Sequence, residues 1–198
     1  MNRREVLQRS AAVLGYTLTG PVLAGLMQGC KAKLELGYKP QLFNEDQAVL
    51  VAELAEVIIP KTDTPGAKDV GVPAFIDGMV YEVYPADARE NFLKGLAAFN
   101  EEAKKEYGDD FADCTAEQKN AFVKKQHDAL AGKTDASEAW YKSGNKGAKP
   151  FIVEMKELTL VGFFTSESGA TQTLQYNQVP GPFKGCLPLA EVGKTWAT

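Results

Sequence analysis

Apolar residues recur at helical spacing in five stretches of the chain. After Asn44, an N-cap with Gln47 three residues on, Leu50, Leu54, Val57 and Ile58 share one face, and Pro60 stops the run. A second helix opens at Pro73, where the missing N–H costs nothing, and carries Phe75, Ile76, Met79, Val80 and Val83 as far as Pro85. The third runs from about Asp87 to Tyr107, with Phe92, Leu93, Leu96, Phe99 and Ala103 in register and Gly108 as its stop. Thr115 and Gln118 form a second capping-box pattern, opening a fourth helix with Phe122, Gln126, Ala129 and Leu130 before Gly132. The fifth follows Pro150 and uses Phe151, Ile152, Met155, Leu158 and Val161 up to Phe164. The predicted fold is all-α: a small bundle of about five helices.

Between and around these helices the pattern breaks. Residues 61–71 hold Thr62, Asp63, Pro65 and Gly66 and read as a turn-rich loop, and residues 133–149 read as a polar loop. Beyond Phe164 the chain turns irregular, with Gly169, Gly181, Gly185, Pro180, Pro182 and Pro188 interleaved with Tyr176, Phe183 and Trp196. This C-terminal segment cannot form a long helix, yet it is too aromatic for a free tail. It is expected to pack in extended form along the body or along another protein.

The first thirty residues differ in kind. Arg3, Arg4 and Arg9 precede an uncharged, mildly apolar run over residues 10–29 that ends at Cys30. A basic segment followed by an apolar one is an export signal. The run is close to the roughly 20 residues a bilayer demands, so a spanning helix is the alternative. Gly15, Thr17, Thr19, Gly20, Pro21 and Gly25 make it a poor permanent anchor. The paired Arg3 and Arg4, followed by Val6 and Leu7, resemble a twin-arginine signal, an address for a translocase that carries folded cargo. Leu26-Met27-Gln28-Gly29-Cys30 resembles a lipobox, which makes Cys30 a candidate for acylation; an ordinary cut nearby, leaving Cys30 a spare thiol, is the alternative. The chain therefore divides into a signal (residues 1–29), a tether (30–41) and a helical domain (42–198).

Composition narrows the chemistry. The 198 residues are 44% hydrophobic and 24% charged, ordinary for one globular domain. Removing residues 1–29 takes away three arginines and one glutamate and moves the formal net charge from −4 to −6. An acidic body disfavours nucleic acid and anionic lipid, so membrane attachment would rest on acyl chains or on a partner. One His and three Cys leave no ligand set for zinc fingers, haem or iron–sulfur clusters. There is no phosphate loop and no dinucleotide-binding glycine motif. His127, in Lys124-Lys125-Gln126-His127-Asp128, reads as a surface histidine. The carboxylates Glu53 and Glu56, Asp77 and Glu82, and Glu154 and Glu157 read as solvated faces or surface ion pairs rather than catalytic dyads. No catalytic, cofactor-binding or metal site is assigned. Cys114 and Cys186 would form a disulfide, remain two buried thiols, or leave Cys186 to bond a partner chain.

Two stretches carry a family resemblance. Leu54-Ala55-Glu56-Val57-Ile58-Ile59-Pro60-Lys61-Thr62-Asp63-Thr64-Pro65-Gly66-Ala67, continuing through Asp69-Val70-Gly71-Val72-Pro73-Ala74-Phe75-Ile76-Asp77, resembles the opening of the gluconate 2-dehydrogenase subunit 3 family. Residues 156–166, then Leu174, Tyr176 and Pro180-Gly181-Pro182-Phe183-Lys184-Gly185-Cys186, are similar to its closing segment. With Phe92-Leu93-Lys94-Gly95-Leu96 and Phe111 between them, the resemblance spans roughly residues 42–188.

The resemblance implies a small exported subunit without catalytic residues or cofactor of its own. Its partner would be a large FAD-binding dehydrogenase subunit of the glucose–methanol–choline type, acting in the periplasm, with a cytochrome c subunit as a further partner. The chain would carry that flavoprotein through the twin-arginine translocase. On this reading the C-terminal segment, with Tyr176, Pro180, Gly181, Phe183 and Cys186, is the first docking candidate, and the loop at Pro65 and Gly66 the second, with a local structural role as its alternative. A stand-alone exported lipoprotein with a binding or structural role is the competing function.

Overall fold

A computed structural model of the chain describes residues 36–131, 149–176, 179, 181–182 and 185–197, apart from the side chains of Leu130, Ala131 and Leu189. The export signal, Arg3, Arg4, Cys30, the glycine-containing loop over 132–148, Pro180 and Phe183 lie outside the described residues. The described part is an α-helical bundle, and its only pairing of extended backbone is one isolated bridge. Five main helices follow in the predicted order, all but the second close to their predicted bounds: α1 (Glu45–Ile58), α2 (Val72–Gly78), α3 (Ala86–Tyr107), α4 (Ala116–Ala131) and α5 (Phe151–Phe164). A shorter α6 (Leu189–Val192) lies in the C-terminal segment.

The helix ends follow local chemistry. Asn44 and Gln47 exchange side chain-to-backbone bonds at the start of α1, as Thr115 and Gln118 do at the start of α4. Gly108 closes α3 at φ +85°, where a side chain would be strained. The second helix departs from expectation. After Gly78 it widens into a π turn (Met79–Val83), which shifts the register of the following side chains. Val83, placed on the apolar face by a 3.6-residue period, is consequently 62% exposed. Arg89 fastens this turn: its guanidinium donates to the carbonyls of Val80, Tyr81 and Tyr84 and lies 5.6 Å from the centroid of the Tyr81 ring.

The core forms around α5, which packs against α1, α2, α3 and α4. It is rich in phenylalanine, with Phe99 at 5.0 Å from both Phe111 and Phe122 and Phe92 at 5.3 Å from Phe151, ring centroid to ring centroid. Such tilted and edge-on pairs add to the burial of the rings themselves. Two glycines admit aromatic rings against helices. A Cβ at Gly95 would lie 2.7 Å from that of Phe151, and one at Gly162 would lie 2.7 Å from the Phe75 ring. At the C-terminal end of α5 the predicted apolar face opens to solvent, with Val161 50% and Phe164 38% exposed.

The chain before α1 is held down by one buried carboxylate. Asp77, read from the sequence as part of a solvated pair with Glu82, is buried, whereas Glu82 is exposed. It accepts the backbone N–H groups of Gln41 (2.6 Å), Leu42 and Phe43 (both 3.1 Å). Three such donors offset the cost of burying the charge. Tyr38 adds a bond to the Pro73 carbonyl, and burial together with the Asp77 charge pushes its phenol up to about 12. The last part of the stretch read as tether is thus bonded to the helical domain, because Asp77 supplies acceptors that sequence spacing does not reveal.

Candidate docking surfaces

The loop between α1 and α2 is organised from α1. Glu56 accepts the backbone N–H of Lys61 through Oε1 and that of Lys68 through Oε2, both at 3.0 Å. Asp69 accepts the N–H of Gly66 and pairs with Lys61 at 2.9 Å; these two donors hold its carboxyl below the usual range. Gly66 is pressed into this knot. A Cβ there would lie 2.7 Å from the Lys61 nitrogen and closer still to the Glu56 carboxylate. Ala67 behind it is fully buried. Gly66 is buried and Pro65 half-buried, so the glycine serves the loop's own geometry.

The remaining candidates have structural partners. Glu53 bridges two cations, Lys68 at 2.5 Å and Lys119 at 2.6 Å, and so ties the loop and α4 to α1. Burial alone would raise its pKa, but the two ammonium groups overcome this and hold it below the ordinary value. Glu154 hydrogen-bonds the Tyr84 phenol beneath the end of the π turn, and Glu157 takes Lys149. Burial pushes Glu154 up, with Glu157 adding to the effect, against the opposing pull of Tyr84 and Lys149. Tyr84 itself is pushed well above the ordinary phenol range by burial and by Glu154. These carboxylates therefore connect elements rather than face one another as dyads.

His127 lines an open groove of about 280 Å³ between α1, α4 and α5, floored by Val57, Ile58, Val123 and Ile152 and edged by Lys124 and Lys156. Its Nδ1 is 3.7 Å from the carboxylate of its neighbour Asp128. Among the described residues, no group of three His, Cys, Asp or Glu side chains could hold a metal ion, and no helix is long and apolar enough to cross a membrane. Cys114 and Cys186 stand as separate free thiols, the first buried and the second exposed. Cys114 lies with its sulfur 3.5 Å from the Asp110 carbonyl, and burial raises its pKa.

The C-terminal segment presents the other surface. After α5 a π turn (Gly169–Thr173) redirects the chain, and the described residues beyond it contribute nothing to the core. Instead the segment closes on itself. Gln175 pairs with Trp196 in a parallel bridge, donating its N–H to Thr195 and accepting that of Ala197 at 2.9 and 2.8 Å. The Gln175 side-chain amide donates to the carbonyls of Val192 and Lys194, and Lys194 reaches the Gln172 carbonyl at 3.0 Å. Tyr176 is 61% exposed and Trp196 48%, with Val179 and Leu187 exposed as well. Gly181 and Cys186 are also exposed. Among the described residues of this segment, the hydrogen bonds of Gln175 and Lys194 run within the segment, and Tyr176 and Trp196 are exposed.

Residues 45–181 match the family model described as gluconate 2-dehydrogenase subunit 3, a span of more than half of the chain. The chain belongs to the gluconate 2-dehydrogenase subunit 3 family. The match begins at the first residue of α1, takes in all five main helices and the Glu56-centred loop, and ends at Gly181. Membership makes this an accessory chain that associates with other dehydrogenase subunits. The subunit 3 span thus includes Gln175 and Tyr176 but not α6, Lys194 or Trp196, the residues that close the C-terminal segment. No curated protein and no solved structure matches the chain.

Proposed function

We propose that this subunit 3 chain is the non-catalytic small subunit of a periplasmic FAD-dependent sugar or sugar-acid dehydrogenase, bound to a flavoprotein of the glucose–methanol–choline type. It escorts that flavoprotein through the twin-arginine translocase and stabilises it afterwards, and a cytochrome c subunit receives the electrons. Family membership carries the reading. The paired Arg3 and Arg4 before an apolar run support the export step. The exposed Tyr176 supports docking through the C-terminal segment, because aromatic anchors dominate interface energetics. The membrane is reached through an acylated Cys30 or through the partner.

Co-expression tests the reading. The full chain should retain a flavoprotein on affinity capture, the complex should oxidise sugar, and the subunit alone should be colourless and inactive. Deleting residues 176–186 should abolish retention, and replacing Arg3 and Arg4 by lysine should leave both proteins in the cytoplasm. A flavin spectrum or sugar oxidation from the lone subunit would refute the proposal. Unchanged retention after the deletion would refute docking through this segment. Mass spectrometry of the mature N-terminus reads the state of Cys30.

A further inference from the structure

The groove between α1, α4 and α5 joins an apolar floor to a cationic edge. On α4, Asn120, Val123, Lys124 and His127 stand at i, i+3, i+4 and i+7, one face of the helix, and on α5 Ile152 and Lys156 stand one turn apart. The buried Ile152 and the half-buried Val57, Ile58 and Val123 continue the core out to the surface. Lys124 and Lys156 are exposed, and among the described residues neither meets a carboxylate. Other lysines of the same region do: Lys119 and Lys125 on α4 pair with Glu53 and Glu106, and Lys149 before α5 pairs with Glu157. Asp128, one turn after Lys124, lies 3.7 Å from His127 and does not line the groove. The edge is thus left positive on a chain whose formal net charge is −4.

We infer that this groove is a second contact for the flavoprotein subunit, besides the C-terminal segment, and that it receives a segment carrying aliphatic or aromatic side chains flanked by carboxylates. The inference rests on the proposed function for the chain that bears the segment; the groove itself sets the segment's chemistry. An apolar group laid on Val57, Ile58, Val123 and Ile152 takes their remaining surface out of water. Carboxylates beside it meet Lys124 and Lys156, which hold no other partner among the described residues. The groove is open and holds about 280 Å³, short of the roughly 300–1,000 Å³ in which pockets enclose a small ligand. Its floor has no aromatic ring for a sugar or a flavin to lie against. An open aliphatic trough with charged edges suits a protruding chain segment, which brings its own backbone hydrogen bonds and needs only its apolar face covered. The lysines steer and pair, and the floor holds, so variants of the two should fail in different ways.

The experiment uses the full chain, alone and co-expressed with the flavoprotein subunit. The double variant Lys124→Glu/Lys156→Glu should unfold at the wild-type temperature, since both side chains are exposed. Its association with the flavoprotein should slow by about tenfold and lose most of its salt dependence. The same charge change placed on α3, Lys94→Glu/Lys105→Glu, should associate within about twofold of the wild type. Val123→Ser, which keeps the charged edge and weakens the floor, should speed dissociation by about fivefold. In the wild-type complex, acetylation of Lys124 and Lys156 by acetic anhydride should be lost while that of Lys94 and Lys105 persists. Wild-type association by the Lys124→Glu/Lys156→Glu chain, or undiminished acetylation in the complex, would overturn the groove as a contact and leave the proposed function standing. Equal slowing by both double variants would overturn it too, since net charge alone would then be the cause. Failure of the wild-type chain to retain the flavoprotein would overturn both. Loss of acetylation in the free chain, with a doubled mass in light scattering, would give the groove to a second copy and overturn the assignment of the occupant.

Discussion

Single residues divide into those that hold elements together and those turned outward. Gly66 belongs to the first group for a reason of space: its φ needs no glycine, but a Cβ would strike the Lys61 nitrogen and the Glu56 carboxylate. Gly66→Ala should therefore cost about 2 kcal/mol in thermal unfolding, since the contact includes backbone that cannot swing aside. The carboxylates give opposite pH signatures. Glu53 has a lowered folded-state pKa, so its contribution is present above the unfolded value and is lost as pH falls through the folded one. Glu154 has a raised folded-state pKa, so its contribution is present below the unfolded value and is lost as pH rises through the folded one. Glu53→Gln should destabilise at neutral pH and flatten the acid limb of the stability curve. Glu154→Gln should stabilise at neutral pH and lose that advantage on acidification. Melting curves from about pH 3 to about pH 8 separate the two.

Among elements, the turn from α2 to α3 differs most from its sequence pattern. Phe75, Ile76, Met79, Val80 and Val83 read as one apolar face, but the π turn breaks the period after Gly78 and turns Val83 outward. The decisive partner is Arg89, from the next helix, which satisfies three carbonyls at the widened end. Arg89→Ala should destabilise the protein by about 1 to 2 kcal/mol and accelerate exchange of the Tyr84 amide, which donates to Met79 at 3.3 Å. By contrast, α1, α3 and α4 were legible almost to the residue, because Asn44 with Gln47, Gly108, and Thr115 with Gln118 are local stop and start signals needing no distant partner. Val161 was misplaced because periodicity marks an apolar face without stating how far the neighbouring elements cover it.

On the scale of the whole molecule, the described C-terminal segment adds no residue to the hydrophobic core. The core is built from residues between Leu36 and Phe163, and the described residues after the second π turn lie outside it. A chain truncated after Leu174 should keep its helical circular dichroism and unfold within about 0.5 kcal/mol of the full chain, and the proposed function expects it to lose the flavoprotein. A large loss of stability on truncation would show that the segment supports the fold. The family reading was accessible from the sequence, since the motifs around Pro60 to Asp77 and residues 156–186 keep their order along the chain. The arrangement of the C-terminal segment was only partly accessible: Tyr176 could be named, but Gln175 and Trp196 gain meaning from their pairing across the segment.

The sequence by itself determined the all-α class, the main helix starts and stops, and the family, since caps, proline stops and apolar periodicity act over a few residues and survive any arrangement of the rest. The tertiary structure decided which polar groups are buried and which apolar ones are left outside. Asp77 became a buried anchor for three backbone donors, Glu53 a bridge between two lysines, and Val83, Phe164 and Trp196 exposed surfaces. The polar contacts among them join positions 15 to 66 residues apart, where burial and hydrogen-bond satisfaction, rather than local propensity, set the free energy.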